Sequence, residues 1–205
     1  MDVYHRPYDP RRPTICLDET CMQLIGEVQQ PLPVAPGCPA RYHYEYVRNG
    51  VANVFMMLEP LTGTCQVRVS ERRTMRDWAF TVKELVDRHY PKAETITLVM
   101  DNSSTHKKAA LYEVFEPEEA KRIADKLDIH FTPKHGSWLN MAEIGLNVLF
   151  RQCLDRRIPS IQQVGKDVKA WLKARKEHPP VVNWRFTTDN ARIKLKRLYP
   201  ALQAS

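Results

Sequence analysis

The chain has 205 residues, 43% apolar and 27% charged, enough for one soluble domain with a sizeable core, and its longest apolar run, VFMML at 54–58, is too short to cross a bilayer. Its net charge of +7 is unevenly placed: residues 151–205 hold 13 Lys/Arg against 4 Asp/Glu, and residues 1–150 hold 18 against 20, so the last quarter suits a polyanion, nucleic acid first, or else forms a solvated lysine-rich helix face. Five cysteines (16, 21, 38, 65 and 153) form no C-x-x-C pair and do not cluster with histidine, which argues against a disulfide framework or a zinc site and fits a reducing cytoplasm.

In chain order, a proline-flanked lead-in without the apolar stretch of a secretory leader gives way to PTICLD (13–18), a buried strand. Residues 28–44 carry four prolines and a glycine and must be a loop or an irregular edge. VANVFMMLEP (51–60), LTGT (61–64) and CQVRVS (65–70) read as strand, turn and alternating strand, with Val67 and Val69 on one face of an antiparallel hairpin. TMRDWAFTVKELVDRHY (74–90) is helical, with a Thr74–Asp77 capping pair and Trp78, Val82, Leu85, Val86 and His89 on one stripe. TITLVMD (95–101) is a β-branched strand ending in an acid, followed by NSSTH as a loop or helix start.

PEEAKRIADKLD (117–128) forms a second amphipathic helix, IHFTP (129–133) a short strand closed by proline, GSWLN (136–140) a turn and MAEIGLNVLFRQCL (141–154) a third helix. From Ser160, Ile161, Val164, Val168, Trp171 and Leu172 recur at helical intervals while most of the lysines fall on other faces, and a basic helix, NARIKLKRLY (190–199), follows. This order predicts an α/β fold, a mixed sheet flanked by helices with a basic helical C-terminal extension, divided into a core over 1–155 and the extension over 156–205.

Asp18 and Asp101 share one local setting, each ending a buried apolar strand before polar residues. On neighbouring strands both carboxylates would emerge at one sheet edge, as a hard cation requires. Glu143, at the start of the third helix, is the third candidate. Two Asp and one Glu would suit Mg²⁺ or Mn²⁺ and phosphoryl transfer. The competing reading makes Asn140 and Glu143 a helix-capping pair and Asp18 a solvated strand end. Glu19 is equally acidic, but strand alternation turns it to the opposite face.

CLDET (16–20), VMDNSSTH (99–106) and PKHGSWLNMAEIGL (133–146), in this order, resemble the catalytic blocks of DDE transposases, and more narrowly the bacterial insertion-sequence branch of the mariner-like superfamily. The likeness extends through WRFTTDNARIKLKRLYP (184–200) and covers most of residues 10–200. It implies an RNase H-like fold and a catalytic, metal-binding triad of Asp18, Asp101 and Glu143, with 82 residues between the first pair and 41 between the second. It also implies two Mg²⁺ per site, with Mn²⁺ as a substitute, and cleavage at a transposon end followed by strand transfer into target DNA. The implied partner is double-stranded DNA, as transposon ends and a TA target, engaged by a homodimer on the nucleoid of a bacterial cytoplasm and at no membrane.

Asn102, His106 and Asn140 are candidates to orient the carboxylates, although Asn102 and His106 could equally turn the chain and start a helix. Trp138 either stacks on a base or packs in the core, and Lys134 and His135 either meet phosphate or sit in a solvated loop. Lys194, Lys196 and Arg197, in the basic tail, are the better candidates for DNA-backbone contacts. Two departures from the family stand out. Only 17 residues precede Asp18, which leaves no N-terminal helix-turn-helix domain, so a truncated enzyme or a separate DNA-binding partner chain is expected. Gly145 stands where an acid is expected and predicts a loosened turn beside Glu143, with metal binding kept but DNA chemistry weakened. The alternatives are an impaired DNA-binding or dimerising fragment that interferes with an intact transposase, and an RNase H-like nuclease acting on RNA–DNA hybrids.

Overall fold

The structure, a computed structural model, describes residues 2–194 other than 104, 134, 135, 178 and 183. Its five strands are β1 (Thr14–Glu27), β2 (Tyr46–Glu59), β3 (Thr64–Ser70), β4 (Ile96–Met100) and β5 (Leu127–Phe131). They form one sheet in the order β3-β2-β1-β4-β5. β1, β2 and β3 are an antiparallel meander, whereas β4 and β5 run parallel to β1. Parallel neighbours need crossover segments. These are supplied by α1 (Met75–Glu84) ahead of β4, and by α2 (Ala109–Val114) and α3 (Pro117–Asp125) between β4 and β5.

Side chains alternate between two cores, one on each face of the sheet. Ile15, Leu17, Phe55 and Met57 pack under Trp78, Val82, Leu85, Leu111 and Ile123 of the crossover helices and turns. Cys16, Val54, Met56 and Leu58 pack on the other face against Ala142, Leu146 and Leu149 of α4 (Ala142–Leu149) and Val164 and Val168 of α5 (Ile161–Glu177). Burial on both faces explains why TICL and ITLVM read as unbroken apolar runs. Fully burying side chains such as Leu17 and Leu98 stabilises the sheet by roughly 1.5–3 kcal/mol each.

The predicted cap of α1 is present: Asp77 N donates to Thr74 Oγ1 at 3.3 Å and Thr74 N donates to the Asp77 carboxylate at 2.8 Å. The helix finishes in a widened turn, Leu85–His89, and α4 does the same at Phe150–Leu154. β2 starts earlier than predicted, at Tyr46, and the predicted helix over 117–128 ends at Asp125, with β5 following from Leu127. Three further elements also differ from the sequence reading. β1 does not end at Asp18 but continues to Glu27, because Met22 and Leu24 alternate into the core against β2. α2 was absent from the reading, since its six residues are too few to show a helical period. The final helix, α6, spans Thr188–Lys194, and residues 195–205 lie outside the described part of the chain.

Residues 28–44 are irregular and contain the isolated bridges Leu32↔Arg41 and Ala35↔Cys38. Among the described residues no helix is long and apolar enough to cross a membrane.

The β2–β3 turn anchors the segment after α5. Val182 N donates to Pro60 O at 2.9 Å, and Gly63 has φ of 70°. A Cβ on Gly63 would lie 2.5 Å from the carbonyl oxygen of Pro180. Backbone strain and a backbone clash therefore coincide there. Gly63→Ala is expected to cost roughly 2–4 kcal/mol in denaturant unfolding. An unchanged midpoint would show that the 179–182 segment does not seat on this turn.

Candidate active site

The sheet brings the first two acids together by register. The parallel ladder of β1 with β4 pairs Thr14↔Thr97, Ile15↔Leu98 and Cys16↔Val99, then stops. Asp18 lies two residues beyond Cys16, and Asp101 two beyond Val99. Both therefore stand at one level on adjacent strands, just past the last paired residues. Strand alternation puts Asp18 on the face of Cys16 and Met56, the face that α4 covers.

α4 brings Glu143 to the same place. Asn140, fully buried just before this helix, donates from Nδ2 to Leu17 O at 2.8 Å and accepts from Ala142 N at its Oδ1 at 3.1 Å. Its amide thus ties the start of α4 to the residue preceding Asp18. Asn140 is not one half of a capping pair with the Glu143 side chain; Met141 occupies the N-cap position. Gly145 lies on the buried stripe of α4, and a Cβ there would approach Met56 Cγ and Sδ to 3.2 Å. The glycine brings α4 close to the sheet, which replaces the expected loosened turn. An acid at 145 would be buried against Met56.

Asp18, Asp101 and Glu143 line one open cleft of about 500 Å³, together with Glu19, Ser137 and Leu146. Burial raises the Asp18 carboxyl to about 7, opposed by the Glu19 N–H that it accepts at 2.9 Å and reinforced by the charges of Glu19, Asp101 and Glu143. Asp101 is held below the usual carboxylate range by the His106 ring. His106 is not the start of a helix: it is 1% exposed, with Nδ1 at 2.6 Å from Asp101 Oδ1 and Nε2 at 3.2 Å from Glu19 Oε2. Burial pulls this imidazole down, but the two carboxylates prevail and raise it to about 10. These contacts are ionic more than directional, since Asp101 Oδ1, His106 Nε2 and Glu19 Oε2 lack side-chain hydrogen bonds of good angle.

The oxygen donors fit a hard divalent cation, whose charge would offset both the burial of Asp18 and the repulsion among the acids. Among the described residues no three Asp, Glu, His or Cys side chains are gathered closely enough to coordinate one ion as they stand.

The remaining candidates are dispersed. Asn102 is exposed, and no hydrogen bond among the described residues ties it to the acids. Trp138 is half-buried, edge-on to Phe186 with centroids 5.4 Å apart, and Lys194 Nζ sits 4.5 Å over its ring. Lys134, His135, Lys196 and Arg197 lie outside the described residues. Glu19 was missed because alternation does place it on the other face, as its partner Phe55 shows. The signal that pointed to it is the histidine five residues after Asp101, a residue type able to bridge two acids.

Among curated protein sequences none matches the chain. Solved structures share its fold. The Mos1 mariner paired-end complex with Mn matches with a TM-score of 0.51 and 16% identity over 84% of this chain and 51% of that one. The Mos1 strand transfer complex matches with a TM-score of 0.54 and 14% identity over 80% and 48%. The Mos1 transposase paired-end complex with left transposon end gives 0.52 and 14% over the same shares. The chain thus spans about half the length of these solved chains, and its mixed sheet flanked by helices is RNase H-like. The sequence profile of the DDE superfamily endonucleases matches residues 13–165, which take in the whole sheet and all three acids. With its acids set side by side by strand register and overlaid by α4, the chain belongs to the DDE superfamily endonucleases.

Proposed function

We propose that the chain is the catalytic domain of a transposase, cutting DNA and transferring the cut strand by phosphoryl transfer at Asp18, Asp101 and Glu143. The observation that carries this reading is the placement of Asp18 and Asp101 at one level beyond the β1–β4 ladder, in the cleft that Glu143 enters from α4. Two Mg²⁺ ions, or Mn²⁺ in their place, would be held by the three carboxylates and would supply activation of the attacking oxygen and stabilisation of the leaving oxygen. The Asp18 carboxyl is raised first by burial and also by the charges of Glu19, Asp101 and Glu143. Asp101 is oriented by His106, and Asn140 fixes the height of α4 above β1. The open cleft leaves room for a DNA backbone to reach the acids.

Lys194 reaches the Trp138 ring, one residue from Ser137 at the cleft. The basic helix α6 is thereby held beside the site, where Lys194 and the tail residues Lys196 and Arg197, with Lys134 and His135, would contact phosphates. Such contacts give salt-sensitive affinity without sequence information. Transposon ends and a TA target, engaged by a homodimer on the bacterial nucleoid, are the partners that the family resemblance supplies, with a separate N-terminal DNA-binding chain as the source of end recognition. A second reading, an impaired fragment that binds DNA and interferes with an intact enzyme, would use the same basic residues and need no metal.

Nicking and strand transfer on supercoiled plasmid, with Mg²⁺ or Mn²⁺, tests the proposal. Nicking should require metal and fall at least about a hundredfold in Asp101→Asn, the scale of losing one preorganised charge-stabilising group, with DNA binding retained. Equal nicking in the variant would sink the triad. No nicking by either protein, with DNA still bound, would favour the interfering fragment.

A further inference from the structure

We infer that Glu19 is a positioning residue for the site: acting through His106, it holds the Asp101 carboxylate in place where the backbone ladder between β1 and β4 has ended. The inference rests on the triad reading above. Backbone pairing of these strands stops at Cys16↔Val99, so no ladder hydrogen bond fixes Asp101 relative to Asp18. At this level the strands are joined by side chains instead. Glu19 reaches His106 Nε2 at 3.2 Å from β1, and His106 Nδ1 reaches Asp101 Oδ1 at 2.6 Å from the loop after β4.

The bridging ring has little freedom. It is 1% exposed and stacks on the fully buried Trp78, with centroids 6.0 Å apart and planes 28° apart. His106 N donates to Ser103 O at 3.1 Å, which holds the loop in place. Glu19 is itself 11% exposed, whereas Asp101 is 38% exposed and faces the cleft. The arrangement therefore has a mostly buried end, a buried bridge and a more open end at the site. An imidazole facing carboxylates on both nitrogens meets both favourably only when both nitrogens carry protons. Removing Glu19 leaves Nε2 without its counter-charge and frees the ring to turn away from Asp101. Supporting groups of this kind commonly change metal affinity by about 10–100-fold.

The test is a double-mutant cycle on the 205-residue chain, read as Mn²⁺ affinity by electron paramagnetic resonance of the free ion, with thermal midpoints recorded in EDTA. Glu19→Leu fills the space without an acceptor and should weaken Mn²⁺ binding about tenfold. His106→Phe keeps the stacking on Trp78 and should weaken it at least as much. The double variant should be no weaker than His106→Phe alone. Glu19→Gln, which keeps the shape but not the charge, should weaken Mn²⁺ binding as the leucine variant does. Unchanged affinity in Glu19→Leu, additive losses in the cycle, or a glutamine variant as strong as the original protein would each overturn the inference. If the leucine variant does not fold, Glu19→Thr takes its place in the cycle. Asp18→Asn is the control: if it too leaves Mn²⁺ binding intact, the triad reading has failed and not the role of Glu19.

Discussion

Asp18→Asn is expected to stabilise the metal-free protein at neutral pH while abolishing metal-dependent nicking. In the folded chain the Asp18 carboxyl is raised to about 7 from an ordinary 3.8, first by burial and then by the neighbouring acids. Between pH 4 and 7 the folded state therefore keeps a proton that the unfolded chain has released. By linkage, the Asp18 contribution to stability falls as pH rises through that window, by up to about 4 kcal/mol at pH 7. Below pH 4 both states are protonated and the contribution vanishes. Asparagine has nearly the same shape and can still accept the Glu19 N–H, but it never ionises. In EDTA the variant's thermal midpoint should exceed that of the original protein at pH 7, and the two should converge near pH 4. Adding Mn²⁺ should raise the midpoint of the original protein only, since a ligand that binds the folded state alone stabilises it. A variant no more stable at pH 7 would mean that neither burial nor the neighbouring acids oppose ionisation of Asp18 in the metal-free fold.

Replacing Asn140 should be costly in another way. Asn140→Leu leaves the Leu17 carbonyl and the Ala142 N–H without their side-chain partner at a fully buried position. About 2–4 kcal/mol of stability should be lost. Asn140→Asp separates the two roles: it keeps the acceptor for Ala142 N but brings a second acceptor against Leu17 O. Both variants should lower nicking at temperatures where they remain folded, because the link between α4 and the residue before Asp18 is broken. Midpoints from denaturant unfolding, with nicking rates on plasmid, check this. A stable, fully active Asn140→Leu would show that α4 is held by its apolar stripe alone.

The features legible in the sequence are those written over short distances. The stripe of Trp78, Val82, Leu85 and Val86 and the alternation of Val67 and Val69 both follow from local periodicity. The two aspartates could be located because each follows a buried apolar run. The length of β1 escaped because Asp18, Glu19, Thr20 and Gln23 interrupt the run, and only pairing with β2 shows that Met22 and Leu24 continue it. Asn140 resembled a local cap because its spacing to Glu143 fits one, whereas its partner lies 123 residues away. Gly145 looked like a weakness when judged by helix propensity, which takes no account of Met56 on the facing strand. Glu19 and His106 could be listed as ionisable, but their meeting depends on two strands and a loop folded against Trp78.

The ladder that places the acids also determines which changes in chain length the site tolerates. Residues 99 and 16 differ by 83, as do 101 and 18. Insertions in the irregular 28–44 segment or in the connection before β4 alter that interval without moving either carboxylate, because the segments from Cys16 to Asp18 and from Val99 to Asp101 keep their length. One residue added between Cys16 and Asp18 would turn the aspartate to the opposite face, where Glu19 now stands. Distant relatives of this site are therefore better aligned by counting outward from the last paired residues than by the number of residues between their acids.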